Sequence, residues 1–140
     1  MYPEYFIAPM REELTSHGVE EARTPEDVDR LLQPESQDES VLFVVNSVCG
    51  CAAGKARPGI VQSLQNDVKP TKVATVFAGG DVEATAHLRQ ILAEYPPSSP
   101  SVALFKGGKP VYFMPRGAIE GSDALTISEN LKQAYKEHCA

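Results

Sequence analysis

The 140 residues suffice for one domain that withdraws roughly 70% of its unfolded surface from water; two domains would be cramped. Hydrophobic residues make up 42% and charged residues 23%, a balance that excludes a disordered chain and predicts a packed core. The net charge of −6 argues against a face built to neutralise phosphates, so no nucleic-acid partner is expected. The longest apolar run, Val41 to Val45, is far short of the ~20 residues that cross a bilayer, so no membrane partner is expected either.

Charge is concentrated at the front. Residues 1–40 hold 3 basic and 11 acidic side chains, whereas residues 41–140 carry a small positive balance. Within the front, Met10 to His17 reads as a short helix ending at Gly18. Thr24-Pro25-Glu26-Asp27 reads as a cap, a proline in the first turn and two first-turn carboxylates, opening a second helix that runs to Leu32. The stretch from Gln33 to Ser40 has no apolar residue but Pro34 and is a loop between the helical front and the core.

Val41-Leu42-Phe43-Val44-Val45-Asn46 has the length and β-branched content of a strand covered on both faces. Ala52 to Val68 follows as an amphipathic helix through Ile60, Val61, Leu64 and Val68, bent at Pro58. Lys72 to Ala78 is a second buried strand. After Gly79-Gly80-Asp81 comes a helix with Ala84, Leu88, Ile91, Leu92 and Tyr95 on one side. Ser101 to Phe105, Gly107-Gly108 and Val111 to Met114 form a β-hairpin. A last helix, from Ser122 or Asp123 to about His138, buries Leu125, Ile127, Leu131 and Tyr135. Parallel strands joined by a crossover helix, then an antiparallel hairpin and a closing helix, make an α/β fold with a mixed sheet and helices on both faces.

Three cysteines are too few for a disulfide scaffold. Two of them, Cys49 and Cys51, flank Gly50 where the central strand ends and a helix begins. Unpaired N–H groups there favour a thiolate, the species that attacks disulfides. Lys55 and Arg57 lie one to two turns downstream and are expected to add to the effect. A buried, inert pair is disfavoured by the small and polar neighbours.

The segment Val44-Val45-Asn46-Ser47-Val48-Cys49-Gly50-Cys51-Ala52-Ala53-Gly54-Lys55-Ala56-Arg57-Pro58 resembles the signature of the bacilliredoxin family, thioredoxin-like proteins once catalogued as disulfide isomerases. Tyr2-Pro3-Glu4-Tyr5 and the run from Ser99 to Gly108 resemble the same family, so the likeness spans nearly the whole chain. It implies one thioredoxin-like domain over residues 1–140, with residues 1–40 as a helical extension and 41–140 as the core. It implies removal of bacillithiol from mixed disulfides on cytosolic proteins, with Cys49 as nucleophile and Cys51 as the second redox position. It also implies a cis-proline at Pro100, whose neighbour Ser99 would pair with an extended substrate segment and position it near Cys49.

No tightly bound cofactor is expected, bacillithiol being a co-substrate. Its carboxylates make Lys55, Arg57, Lys106 and Arg116 candidates for attracting it. The N-terminus lacks the basic and apolar stretches of a secretory signal, so a cytoplasmic location is the expectation if the chain is complete. The single residue between the cysteines, where the wider superfamily has two, predicts a short-lived and relatively oxidising Cys49–Cys51 bond. No carboxylate on the central strand offers itself as a proton acceptor; Asn46 and Ser47 are the nearby polar residues.

Three other readings are weaker. A protein disulfide isomerase or reductase would use the same pair. A metal or iron–sulfur site would need Cys49, Cys51, Cys139 and one of His17, His87 or His138. Their spacing is poor, and Cys139 reads as an incidental exposed thiol on a fraying end. A binding module would use the small residues Ala52, Ala53, Gly54 and Ala56, which serve equally well for close helix packing.

Overall fold

A computed structural model describes residues 1–140. Its elements in chain order are α1 (Glu4–Thr15), β1 (Glu20–Glu21), α2 (Pro25–Leu32), β2 (Ser40–Asn46), a π-helical segment (Ala52–Ala56) running into α3 (Arg57–Ser63), β3 (Lys72–Phe77), α4 (Val82–Ile91), β4 (Ser101–Lys106), β5 (Lys109–Met114), α5 (Arg116–Glu120) and α6 (Ala124–His138). The strands form one sheet in the order β1-β3-β2-β4-β5. β1 and β2 both run parallel to β3, whereas β4 is antiparallel to β2 and β5 antiparallel to β4.

β2 is the centre, and every one of its seven residues is buried. Alternate side chains go to opposite faces, as the pleat requires. Leu42 and Val44 join Ile60 of α3 and Ile127, Leu131 and Tyr135 of α6 in one core layer. Val41, Phe43 and Val45 join Val28 and Leu31 of α2 and Ala84 and Leu88 of α4 in the other. The mixed sheet with helices on both faces is therefore as expected. The hairpin turn is also as expected, with Gly107 and Gly108 at φ of 59° and 83°, the left-handed conformations that a two-residue hairpin loop demands.

The front of the chain departs from the sequence reading. α1 begins at Glu4 instead of Met10 and carries Pro9 inside it. Pro9 is the sixth residue of this helix, so it removes the intrahelical bond to the Tyr5 carbonyl. β1 adds an edge strand beside β3. Residues 1–40 also supply buried Ile7, Leu14, Val28 and Leu31. Their acidity is largely spent within the fold. Arg11, 5% exposed, makes a two-bond contact with Asp81 at 2.9 Å for each bond and pairs with Glu4 at 3.0 Å. Asp81 in turn accepts the Phe77 N–H at 3.0 Å, so one buried ion pair ties α1 to the turn that starts α4. The cap at Thr24 is as read: its side chain accepts from the Asp27 N–H.

Three further corrections concern helices. The predicted Ala52–Val68 helix stops at Ser63, and its first five residues are π-helical, with the Arg57 N–H bonded to the Ala52 carbonyl. Pro58 falls in the first turn of α3, where the π-helical segment gives way to α-helix. α5 was not foreseen, and Leu125 is 58% exposed because it points away from the layer that holds Ile127 and Leu131.

Gly59 is where α3 and α6 approach most closely. A Cβ there would lie 2.8 Å from Ile127 Cγ2 and 2.9 Å from the Ala124 carbonyl oxygen. Gly59→Ala is expected to destabilise the fold by about 1–3 kcal/mol, read as a lower denaturation midpoint. Gly54→Ala, whose Cβ meets nothing within 4 Å, is the control and should not lower the midpoint.

Candidate active site

The buried end of β2 sets the geometry of the cysteines. Asn46, 1% exposed, donates its Nδ2 to the Met10 carbonyl at 3.2 Å and accepts at Oδ1 from the Ser47 N–H at 2.9 Å and from Arg57 Nη1 at 2.9 Å. Arg57 Nη1 also donates to the Ser47 carbonyl at 2.8 Å, and its Nε to Glu13 at 3.0 Å. Ser47 Oγ accepts the Cys49 N–H at 3.2 Å. A network of buried polar groups, each satisfied, thus fixes the turn on which Cys49 stands.

Cys49 and Cys51 are both free and half-buried, with their sulfurs 2.7 Å apart. The two thiols are driven in opposite directions. Cys49 is held below the ordinary thiol range, chiefly by the hydrogen bond from the Cys51 side chain and then by the Cys51 N–H. Arg116 and the Ala52 N–H add to this against the opposing effect of burial. Cys51 is pushed up, first by burial and then by the hydrogen bond to Cys49 and its negative charge, with Glu120 adding a smaller like-charge effect.

The cation facing the sulfurs is Arg116. Arg57 is 2% exposed and engaged by Asn46, Ser47 and Glu13. The π-helical turn takes up an extra residue and seats Arg57 under the end of β2. Lys55 reaches the Glu120 carbonyl at 2.6 Å. Arg116, at the start of α5, bonds Glu120 through Nε, and its Nη1 lies 3.4 Å from the Ser99 carbonyl. Sequence reasoning had Arg116 among four equal candidates; what singles it out is the unforeseen α5. The same helix brings the Glu120 carboxylate within 4.8 Å of both sulfurs, where β2 itself offers no carboxylate.

The Ser99–Pro100 peptide bond is cis, and the loop that carries it lies beside the redox turn. Ser99, Cys49 and Arg116 line one open groove of 430 Å³, walled on the far side by Tyr2 and Gly79. Gly79, at φ 84°, has no Cβ because the Tyr2 ring occupies that space, with Cε2 2.6 Å from where one would stand.

The alternative metal set is not gathered, since Glu120 alone joins Cys49 and Cys51 within ligand reach. Cys139 is not a frayed thiol: its N–H bonds the Tyr135 carbonyl at 2.7 Å, and its side chain packs against the core. His87 pairs with Asp29 at 2.7 Å. Ala52 and Ala56 are buried in the protein's own packing, while Ala53 and Gly54 face outward.

A family model described as disulphide isomerase matches residues 2–139. A bacilliredoxin of Halalkalibacterium halodurans is 51% identical over 99% of this chain and 94% of its own length. One of Salinibacter ruber is 49% identical over 99% of this chain and 81% of its own. Among solved structures, the thioredoxin of Malassezia sympodialis aligns with a TM-score of 0.60 at 17% identity, covering 88% of this chain and 92% of that one. Fasciola hepatica thioredoxin aligns with a TM-score of 0.60 at 18% identity, covering 86% and 99%. The fold is thioredoxin-like.

With the reduced protein, alkylation mapped by mass should modify Cys49 before Cys51. A lowered thiol stays ionised at pH values where an ordinary thiol is protonated, so the Cys49 rate should persist to lower pH than the Cys51 rate. Arg116→Ala removes a stabilising cation, raises the Cys49 thiol and slows its alkylation at pH values where the thiol is only partly ionised. The loss should stay below about tenfold, because the guanidinium is half exposed and screened. The two proteins should converge at high pH.

Proposed function

The chain belongs to the disulphide isomerase family and is a thiol–disulfide oxidoreductase, and from that premise we propose that it removes bacillithiol from mixed disulfides on cytosolic proteins. The observation that carries this reading is the opposed ionisation of two sulfurs one residue apart, with the lowered one, Cys49, facing an open groove. The bacilliredoxin relatives support the choice of small thiol.

In this scheme the Cys49 thiolate attacks the bacillithiol sulfur of the client's mixed disulfide. A Cys49–bacillithiol disulfide forms, the old S–S bond breaks, and the client leaves as a thiolate that takes a proton from water. Two routes then clear the adduct. A second bacillithiol thiolate attacks the bound bacillithiol sulfur, leaving the oxidised bacillithiol dimer and a free Cys49 thiolate. Alternatively Cys51 gives up its proton and attacks the Cys49 sulfur, expelling bacillithiol as thiolate and forming the Cys49–Cys51 disulfide, which two equivalents of free thiol reduce. No bound cofactor takes part. Ser99 is the positioning residue for the client segment, held by its cis bond to Pro100, and Gly50 is the single residue that spaces the two sulfurs.

Intact-mass analysis after incubation with a bacillithiol-modified client tests the scheme. Cys49→Ser should abolish transfer, with a loss of at least ~10³ in rate as expected for removal of a nucleophile. Cys51→Ser should accumulate one bacillithiol on Cys49 when free thiol is withheld. Full adduct removal by the Cys49 variant would overturn the proposal, and activity on scrambled protein disulfides alone would favour an isomerase or reductase of protein substrates.

A further inference from the structure

Five of the six arginines meet a carboxylate: Arg11, Arg23, Arg30, Arg57 and Arg116. Arg89 meets none. It sits in the last turn of α4, and its Nε is buried without a hydrogen-bond partner. Buried donors are nearly always paired, and this Nε–H on a half-buried side chain is poised for an acceptor that arrives. Arg89 lines the same groove as Cys49 and Arg116. Of the nine residues around that groove none is acidic, and the two arginines are its only permanent charges, in a chain of net charge −6.

We infer that Arg89 is a specificity-determining residue, its guanidinium taking a carboxylate of the small thiol seated beside Cys49 while Arg116 supplies a second cation. The site thereby selects anionic low-molecular-weight thiols over neutral or cationic ones. This rests on the adduct-removal reading: the sulfur attacked belongs to the small thiol, so that molecule must lie against Cys49 at the moment of transfer, with the client segment held at the Ser99 side of the groove. Arginine suits the task because its planar fork can hold both oxygens of a carboxylate. Arg89 is also separable from the ionisation of Cys49, since Arg116 is the cation that acts on that sulfur.

The test uses one client protein carrying bacillithiol, glutathione, mercaptoethanol or cysteamine, discharged by the full-length wild type, Arg89→Gln and Arg89→Lys. The wild type should prefer the two anionic adducts, and added salt should erode the preference. Arg89→Gln should cut the ratio of anionic to neutral kcat/KM about tenfold, the worth of one charge-assisted hydrogen bond, mainly through KM. Arg89→Lys should retain part of it. A second readout needs no client: the ratio of Cys49 alkylation by iodoacetate to that by iodoacetamide should fall about fivefold in Arg89→Gln, as expected for one unit charge beside the reagent's carboxylate. Ratios within twofold of wild type in both assays would overturn the inference. Loss of the bacillithiol activity alone, with glutathione discharge still dependent on Arg89, would remove the bacillithiol reading and leave this one standing. If no adduct is discharged at all, the alkylation ratio decides.

Discussion

One contact organises the site: two free sulfurs 2.7 Å apart, on residues separated by a single glycine. Two negative sulfurs could not sit so close at modest cost, so the pair shares its ionisation unequally. Everything around it preserves that inequality. The Cys51 and Ala52 N–H groups and Arg116 favour charge on Cys49, while burial and Glu120 oppose it on Cys51. β2, buried along its whole length, gives the turn a rigid base, and the Asn46–Arg57–Ser47 network carries that rigidity to the Cys49 main chain.

The charge distribution has a structural half and a chemical half. The acidic front reads from sequence as a solvated face, yet Glu4, Glu13 and Glu21 meet Arg11, Arg23 and Arg57. The Glu13–Arg57 pair joins α1 to α3, and Arg11 and Arg23 link Glu4 of α1 with Glu21 of β1. Burying Arg11 with Asp81 is not in itself a large stabilisation, because desolvation offsets much of the attraction. Its effect is geometric: it fixes the Gly79–Gly80 turn, against which Tyr2 lies to form a wall of the groove. The arginines left over from this structural use, Arg89 and the partly engaged Arg116, are the ones that face the groove.

The legible parts of the sequence were those where a single local pattern suffices. β2, β3 and the hairpin announce themselves by β-branched runs and by two glycines in a turn that needs positive φ. The cysteine pair and its place at a strand end were equally plain. What escaped depended on tertiary context. β1 is two residues long and exists because β3 offers an edge. The π-helical turn has no compositional mark, and it is what buries Arg57 after sequence spacing had aimed it at the sulfur. α5 is five residues with a proline before it, yet it delivers both Arg116 and Glu120 to the sulfurs. Arg89 carried no signal at all, since a lone arginine in the last turn of a helix is ordinary at that position.

The unequal pair also gives the two proposed steps their order. While Cys49 is a thiolate, its charge and hydrogen bond help keep the Cys51 proton in place, so the second sulfur cannot compete for the substrate. Once Cys49 is bound in a mixed disulfide, that negative charge is gone, and with it one of the causes raising Cys51; burial and Glu120 remain. Cys51 therefore becomes more acidic at the moment its thiolate is needed. The single-residue spacing that looks like a constraint on the disulfide acts, in this scheme, as the device that holds the resolving sulfur in reserve.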